Sequence, residues 1–299
     1  MKRKISASFW EVIFCTCSRR CGTGKQVKVL SADLHIHTDA SDGFETPAQV
    51  VYLAKTAGLK AIAVTDHETT SGIAPALEAG RRLSLEVLPG VEMSTEHKGS
   101  EVHLLGYLMD YTNPVFLSFL ELLKQKRKER VGRIAARLCD LGVQITLDQI
   151  LAAAGKGSVG RPHVARVLIK SGLVQSIAQA FEQYLGTGRP AYVPRFKYST
   201  SEAIQLIRKA GGVTVLAHPV IDNSEDFIPE FVKDGLQGLE VYYPGHGPET
   251  ISRFLKTCRL YNLVSTGGSD FHGGQAGHGY IGEVTVPYQS VVNLKKCAG

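Results

Sequence analysis

The segment from Asp33 to Gly43, DLHIHTDASDG, places two histidines and three aspartates within eleven residues. The apolar residues before it predict a strand over 28–37, and side chains two residues apart on a strand share one face. His35 and His37 would then point the same way and supply half of a metal site. A pair of surface histidines beside a turn is the alternative, because an HxH pattern alone is weak.

Other histidines and carboxylates stand at or near the ends of further strand-like runs. The further members of this set are Asp66 and His67 after AIAVT, Glu92 after LEVLPGV, His103 within VHLLGYL, His218 after VTVLA, and Asp270 and His272 after LVSTGG. In a parallel barrel the carboxyl ends of the strands meet on one face, so residues far apart in sequence would converge there. Each histidine alone is explained as well by a buried or surface position, but the set together predicts a metal centre.

The types of these side chains indicate what they would bind. Imidazole and carboxylate ligands together suit Mn²⁺, Zn²⁺ or Fe²⁺. More than four of them imply more than one ion, and adjacent ions activate a bridging water and hold both oxygens of a phosphoryl displacement. The set therefore predicts metal-assisted hydrolysis of a phosphate ester.

The elements that would position these residues alternate between strand and helix. Strands are predicted at 28–37, 61–65, 85–89, 102–108, 213–217, 238–243, 263–266 and 281–286. Helices are predicted at 46–57, 71–82, 200–210 and 248–261, the first with Thr46 as its cap and Gly58 as its end. This alternation predicts a parallel α/β arrangement.

The alternation breaks between residues 110 and 195, where the pattern is helical throughout. Helices are predicted at 114–140, 146–154, 161–171 and 174–185, and the basic run KQKRKERVGRIAARL predicts a helix with a solvated face. We therefore expect a helical insertion domain at 111–194 within a discontinuous barrel of 29–110 and 195–290. An insertion after a strand's carboxyl end would overhang the catalytic face.

The bulk properties exclude some classes of protein. The net charge of +6 over 299 residues fits an anionic substrate without requiring one, and no apolar run approaches the length of a membrane span.

Three of the six cysteines lie in CTCSRRC without a partner pair at zinc-finger spacing, and the others are scattered. This usage predicts a reducing compartment, the cytoplasm. The segment 1–28 lacks a clean signal-peptide cleavage site and predicts a poorly ordered extension.

Six motifs in order give the chain a family resemblance. DLHIHTDASDG, VTDHE, PGVEMS, VHLLGY, AHP and GSDFH resemble the PHP (polymerase and histidinol phosphatase) family of metal-dependent phosphoesterases. The resemblance covers residues 31–285. It implies an α/β fold, a distorted (β/α)7 barrel of the PHP type with the helical insertion, and two or three divalent metal ions.

The same resemblance implies a set of ligands for each ion. The sets are His35, His37, Glu92 and Asp270 for a first ion; Asp42, His67 and His272 for a second; and Glu92, His103 and His218 for a third. Asp42 stands where some relatives have histidine. Every ligand position is filled, and Mn²⁺ is the first choice of metal, with Zn²⁺ or Fe²⁺ as alternatives.

The insertion resembles one branch of the family. GRPHVARVL at 160–168 and AYVP at 191–194 resemble enzymes that act on nucleotides, either 3′,5′-nucleotide bisphosphate phosphatases or a 5′→3′ exoribonuclease. The expected reaction is hydrolysis of bisphosphate nucleotides or of the 5′ ends of short RNA by a metal-bridging hydroxide. The alternatives are a histidinol-phosphate phosphatase and a non-catalytic, metal-bound regulatory module. The expected partner is a nucleotide or short RNA, with no membrane and no obligate protein partner.

Four residues outside the ligand sets are expected to bind substrate. Arg161 and His163 would hold a phosphate that is not cleaved, because arginine grips phosphate with two donors and a helix N-terminus attracts anions. Arg161–Pro162 could instead merely open a helix. Arg195 would add positive charge, although a surface role explains it equally well, and His246 follows a strand on the catalytic side.

Two residues are expected to move the leaving-group proton. His272 and Asp66 both lie beside predicted ligands and could act as the proton carrier. Asp66 could equally orient a ligand histidine.

Overall fold

The structure is a computed structural model that describes residues 31–155, 157–273 and 279–298. Its strands are β1 (Ser31–Asp33), β2 (Ala61–Val64), β3 (Glu86–His97), β4 (Ser100–Tyr107), β5 (Val213–Leu216), β6 (Gly238–Tyr242), β7 (Val264–Gly267) and β8 (Val286–Pro287). They form one sheet in the order β7-β6-β5-β4-β3-β2-β1-β8, which curves into a nearly closed barrel. The predicted α/β barrel is confirmed.

Helices surround this barrel in the described part of the chain. They are α1 (Pro47–Thr56), α2 (Ile73–Leu83), α3 (Pro114–Asp140), α4 (Leu147–Ala154), α5 (Arg161–Lys170), α6 (Ile177–Ala180), α7 (Thr200–Lys209), α8 (Ile228–Asp234), α9 (Pro248–Tyr261) and α10 (Tyr288–Ala298). A π-helical turn at Phe181–Leu185 extends α6, and a 3₁₀ turn at Glu225–Phe227 precedes α8. None of these helices is both long and apolar enough to cross a membrane.

The chain directly after β1 closes the barrel. Leu34 N donates to Gly267 O at 3.1 Å, and Ile36 forms a parallel bridge with Phe271. On the other side, Thr65 N donates to Ile36 O at 2.9 Å. The segment that carries the HxH pair therefore lies between β2 and β7, where the two ends of the sheet meet.

One hairpin departs from the predicted parallel arrangement. The strand expected at 85–89 continues to His97 and pairs antiparallel with β4, which in turn pairs antiparallel with β5. Lys98 and Gly99 form the tight turn, and both have positive φ, as short hairpin loops require. Glu92 therefore lies in the middle of a strand rather than at its end.

The helix starts follow from local sequence. The Thr46 side chain accepts a hydrogen bond from Gln49 N, and Thr46 N donates to the Gln49 side-chain oxygen in return, which makes a capping box. Pro47 occupies the first turn of α1. The buried face of α1 includes Val50 and Val51, which pack in one cluster with β2. The predicted helix at 46–57 is thus present, one residue shorter at each end.

The helical segment between β4 and α7 has its own core. Its buried apolar residues form a cluster that runs from Val131 to Val193, whereas Phe116 and Leu120 of α3 pack with the barrel. Helix α3 therefore joins both clusters. The domain division at 111–194 stays a prediction, which these separate clusters support.

The C-terminal end differs from the predicted boundaries. The strand expected at 281–286 is reduced to Val286–Pro287, which pairs antiparallel with β1. Helix α10 follows and buries Val291 and Leu294 against the barrel, beyond the predicted limit at residue 290. The predicted N-terminal extension and its CTCSRRC motif lie outside the described residues.

A buried tyrosine connects β4 to the chain just before the HxH pair, and its removal tests that connection. Tyr107 is fully buried and its hydroxyl donates to Leu34 O at 2.8 Å. We expect Tyr107→Phe to lower the free energy of unfolding by about 1–3 kcal/mol, because a buried carbonyl loses its donor. Urea denaturation measures this, and Tyr52→Phe, at a position 62% exposed, is the matched control. Equal effects of the two substitutions would contradict the expectation.

Candidate metal centre

His35 and His37 lie side by side at the seam of the barrel. Both are fully buried, and their ring centroids are 5.2 Å apart. The backbone of His37 is fixed by its N–H, which donates to Phe271 O at 2.8 Å. A Cβ at Gly268 would lie 2.4 Å from His35 N, so only glycine permits this close approach of the two segments.

Glu92 stands at the centre of the histidines. Its Oε2 lies 3.3, 3.1 and 3.2 Å from nitrogens of His35, His37 and His67. Its Oε1 lies 3.1 Å from His218 Nε2 and 3.5 Å from His103 Nδ1. The carboxylate is 1% exposed, so five imidazoles surround one buried negative charge.

The aspartates lie on either side of this glutamate. Asp270 Oδ1 is 3.3 Å from His35 Nε2 and 3.2 Å from His37 Nε2. Asp42 Oδ1 is 3.5 Å from His272 Nε2 and 3.8 Å from His37 Nδ1. His37 therefore lies within 3.8 Å of all three carboxylates.

The nine residues predicted to bind metal come together in three overlapping groups. The groups are His35, His37, Glu92 and Asp270; His37, Asp42, His67 and His272; and Glu92, His103 and His218. Within each group one ligand atom from every residue lies within 4.8 Å of the others. His37 joins the second group as well as the first, which the sequence prediction had not proposed. Their role as ligands stays a prediction.

The hydrogen bonding of these residues fits a bound cation. In the described part of the chain, several buried ligand atoms make no hydrogen bond: both ring nitrogens of His37, Nδ1 of His67, His103 and His218, and Oδ1 of Asp42 and Asp270. Buried polar atoms normally have partners, and each one left without a partner costs about 1–3 kcal/mol. A divalent ion would satisfy several of these lone pairs at once.

The backbone is strained at two of the predicted ligands. Asp270 has φ +52°, and His218 has φ +20°. Residues other than glycine rarely adopt positive φ, and such strain tends to occur at functional sites. The surrounding barrel therefore holds both side chains in place against a local preference.

Burial and neighbouring charge shift the pKa values of this cluster in opposite directions. Burial, the largest influence on His37, lowers its pKa, but Asp270 and Glu92 outweigh it and raise the pKa to about 10. Burial lowers the pKa of His67 to about 4. The neighbouring imidazoles hold the pKa of Glu92 well below its usual range, although burial alone would raise it. Without an ion, the cluster is therefore a mixture of protonated and neutral imidazoles around ionised carboxylates.

Carboxylates behind the histidines orient them, and the sequence prediction had missed these. Glu240 is fully buried, and its Oε1 lies 3.0 Å from His35 Nδ1, while its Oε2 accepts a hydrogen bond from His218 N at 2.8 Å. Glu101 Oε1 lies 3.1 Å from His103 Nε2. Such contacts turn the other ring nitrogen toward the metal. The signal for Glu240 was a charged residue in the apolar run GLEVYY.

Tyr243 and Asp222 also contact predicted ligands. The Tyr243 hydroxyl donates to Asp270 Oδ2 at 2.8 Å, which leaves Oδ1 facing the histidines. Asp222 Oδ2 accepts a hydrogen bond from His103 N at 2.9 Å and lies 3.5 Å from His218 Nδ1. Neither residue carried a sequence signal, because their contacts depend on the fold.

The two residues expected to move protons are both held by other contacts. Asp66 accepts hydrogen bonds from Thr38 N, Thr38 Oγ1 and Ser41 Oγ at 2.7, 2.7 and 2.6 Å, so both oxygens face the turn that carries Asp42. His272 Nδ1 donates to Asp270 O at 2.8 Å, which directs Nε2 toward Asp42. These contacts favour an orienting role for Asp66 and a ligand role for His272.

His163 and His246 are also engaged with the backbone. His163 is buried, and its Nδ1 accepts a hydrogen bond from Gly160 N at 3.0 Å at the start of α5. Burial lowers its pKa to about 4, so it is neutral. His246 Nδ1 donates to Val241 O at 2.9 Å, and its ring lies 5.4 Å from that of Tyr243. A substrate role for either histidine stays a prediction.

Arg161 and Arg195 belong to a larger basic cluster. Arg195 Nη1 lies 3.2 Å from Glu101 Oε1, and its Nη2 donates to Thr95 O at 2.8 Å. The Arg161 guanidinium lies over the Phe181 ring at 5.1 Å and interacts electrostatically with Glu101 and Arg195. Glu101 in turn contacts His103, which places this cluster next to the metal centre.

Two arginines of α3 complete the cluster, although the sequence pattern had predicted a solvated face. Arg127 forms an ion pair with Glu68, the residue after His67. Arg130 Nε donates to Val193 O at 2.8 Å. Burial, together with the neighbouring guanidinium groups, lowers the pKa of Arg130 to about 9. Four arginines thus share two glutamates, and positive charge is in excess.

Proton release tests the charge state of the cluster. Because the pKa of His37 is about 10 without metal, this histidine is protonated at pH 7.5 and must lose its proton to bind an ion. We expect Mn²⁺ titration of metal-free protein to release protons, and the affinity to rise with pH up to about that value. Calorimetry in two buffers of different ionisation enthalpy measures the release. Equal heats in both buffers would contradict this expectation.

Comparisons with known proteins agree with this geometry. The PHP domain family matches residues 33–187. A 5′-3′ exoribonuclease from Escherichia coli is 36% identical over 247 residues, which cover 80% of this chain and 84% of the relative. A 3′,5′-nucleoside bisphosphate phosphatase from Chromobacterium violaceum is 32% identical over 246 residues, which cover 80% of this chain and 86% of the relative.

A solved structure is similar over nearly the whole chain. It is a protein from Bifidobacterium adolescentis, provisionally described as a metal-dependent phosphoesterase, with a TM-score of 0.83 and 33% identity. The match covers 90% of this chain and 96% of that protein. The predicted enzyme class, a metal-dependent phosphoesterase, is confirmed, and the chain belongs to the PHP family.

Proposed function

We propose that this enzyme hydrolyses a phosphate ester of a nucleotide that carries a second phosphate, as a 3′,5′-bisphosphate nucleotide or as the 5′ end of a short RNA. The observation that carries the proposal is the excess of arginine beside the metal centre. Arg127, Arg130, Arg161 and Arg195 lie around Glu68 and Glu101, and Asp42 is a further acidic neighbour of Arg127, so positive charge is still in excess. A phosphate dianion would neutralise this excess. The names of the Escherichia coli and Chromobacterium violaceum relatives support the same substrates.

The nine predicted ligands would hold two or three divalent ions, and Mn²⁺ suits their mixture of imidazole and carboxylate. Bound ions of this kind lower the pKa of water toward neutrality and neutralise phosphoryl oxygens. In this proposal Glu92 bridges two ligand groups, and Glu240 and Tyr243 keep His35 and Asp270 oriented. Asp66 positions the Asp42 turn.

A small cavity beside the arginines suits the phosphate that is not cleaved. It has a volume of about 30 Å³, and Arg127, Arg130 and Arg195 line it together with Tyr198. This is room for about two water molecules and too little for a nucleobase. We propose that Arg161 closes over this phosphate from the start of α5.

The alternatives fit the cluster less well. Histidinol phosphate carries a cationic amine, which an excess of guanidinium groups would repel. A non-catalytic regulatory module would not need a second anion site beside the ligands. We also propose a reducing compartment, the cytoplasm, because Cys139, Cys258 and Cys297 are unpaired in the described residues.

A substrate panel tests the proposed reaction. We expect the Mn²⁺-loaded protein to release phosphate from 3′-phosphoadenosine 5′-phosphate or mononucleotides from 5′-phosphorylated RNA. Removal of metal with a chelator should abolish both activities, and added Mn²⁺ should restore them. Turnover of histidinol phosphate alone would refute the proposed substrate, and loading without any turnover would favour the regulatory module.

Arg161 tests the second phosphate site. We expect Arg161→Ala to raise KM for 3′-phosphoadenosine 5′-phosphate roughly 10- to 100-fold, the range expected for a lost charged hydrogen bond. KM for 3′-adenosine monophosphate, which lacks the second phosphate, should change little. Arg81→Ala on the exposed face of α2 is the matched control. Loss of bound metal in Arg161→Ala, measured by elemental analysis, would instead show that Arg161 is structural.

A further inference from the structure

A cleft of about 550 Å³ opens beside the turn that carries Asp42. Residues 152–155, at the end of α4, form one wall, and Pro47 and Pro75 of α1 and α2 belong to its lining. Its volume lies within the range of about 300–1,000 Å³ that is typical of small-molecule sites. The metal centre and the arginine cavity do not use this cleft.

The cleft is anchored to the metal centre by one arginine. Arg166 of α5 donates to the carbonyl oxygen of Asp42, and to that of Gly43 at 3.3 Å. The carboxylate of Asp42 meanwhile faces His67 and His272. The cleft is therefore lined by Ser41 and Gly43, the two chain neighbours of the predicted ligand Asp42.

The same arginine gives the cleft a flat, polarisable surface. Its guanidinium lies over the ring of Phe44 at 3.8 Å, and both residues line the cleft. Arg166 Nε is buried and has no hydrogen-bond partner among the described residues. Single-stranded bases stack on guanidinium planes and aromatic rings. The alanines and glycines that line the cleft leave room for such a base.

The floor of the cleft is built by close contact between the insertion and the barrel. Ser158 N donates to Ala40 O at 2.8 Å, and a Cβ at Gly157 would lie 2.6 Å from Asp39 O. Glycine at position 157 thus lets the loop after α4 lie directly on the turn before Asp42. The insertion and the metal-binding turn form the cleft together.

The arginine cavity and the cleft lie on different sides of the metal centre, and each suits a different part of a substrate. The arginine cavity, next to His103 through Glu101, has room for a phosphate and nothing larger. The cleft, next to Asp42, has room for a nucleoside. A strand whose terminal phosphate occupies the arginine cavity would reach the cleft by passing the metal centre.

We propose that this cleft binds the nucleotide that follows the cleaved bond in an RNA chain, with its base stacked on the Arg166–Phe44 pair. The inference rests on the proposed function and names its substrate class: a polynucleotide with a 5′-phosphate, for which a mononucleotide bisphosphate is the shortest analogue. Arg166 then contacts substrate and also holds the Asp42 turn.

Filling the cleft separates the two kinds of substrate. Ala153 is exposed and lines the cleft, so Ala153→Trp should block it without disturbing the fold. We expect kcat/KM for a 5′-phosphorylated dinucleotide to fall by roughly 5- to 150-fold, the range that corresponds to one lost base stack. Turnover of 3′-phosphoadenosine 5′-phosphate should stay within about twofold, and Ala153→Ser should behave as the parent.

A second groove provides the matched control. An open groove of about 750 Å³ along α3 shares Lys126, Arg195 and Phe196 with the arginine cavity, whereas Ala136 lines the groove and not the cavity. Ala136→Trp should leave both substrates unaffected. If Ala136→Trp, and not Ala153→Trp, slows the dinucleotide, the strand follows α3 and the proposal is wrong. An equal loss on both substrates in Ala153→Trp would also overturn it.

A binding measurement separates this proposal from the proposed reaction. The probe is a 5′-phosphorylated dinucleotide with a non-cleavable phosphonate link and 2-aminopurine as its second base. We expect its fluorescence to be quenched by the metal-loaded parent and not by Ala153→Trp. Quenching without turnover of any substrate would sink the proposed reaction and keep the cleft, whereas equal quenching by both proteins would rule out the cleft.

Discussion

The buried carboxylate of Glu92 is the constraint on which the rest of the site depends. Five imidazole nitrogens lie between 3.1 and 3.5 Å from its two oxygens, and the residue is 1% exposed. A buried charge is tolerated only when it is paired or coordinates a metal. Glu92 can take this central position because it lies in the middle of β3, paired with Leu105 of β4 on one side and bridged to His67 on the other. A residue at a strand end would lack this support.

The cost of assembling such a site is spread over the barrel. Positive φ angles at His218 and Asp270 and the unpartnered buried atoms both raise the free energy of the folded state. The fold offsets this with contacts outside the ligand sets, such as those of Glu240 with His35 and of Asp66 with the turn before Asp42. An ion held by the predicted ligands would satisfy the unpartnered atoms, so its binding would add to the stability of the fold.

The sequence predicted which histidines and carboxylates meet in the cluster better than it predicted their surroundings, for a physical reason. His35 and His37 share a face by strand periodicity, and the position of Asp270 and His272 after a strand follows from barrel topology. The antiparallel β3–β4 hairpin was missed, because 85–89 and 102–108 have the apolar composition of buried strands in either orientation. Arg127 and Arg130 were assigned to a solvated face, since helical periodicity cannot tell solvent from a charged cavity. Glu240 was recognisable in principle as a carboxylate within an apolar strand.

The insertion carries the arginines of both proposed substrate-binding sites on its helix α5. Arg161 and Arg166 both belong to α5 and lie five residues apart, which places them about 140° apart around the helix axis. One therefore faces the arginine cluster beside Glu101, and the other faces the turn that carries Asp42. Because a single helix sets both directions, the helix itself fixes the distance between the two proposed substrate-binding sites. A change in α5 would thus alter which substrates fit without moving any predicted metal ligand, so specificity in this chain can vary independently of the chemistry that the barrel supports.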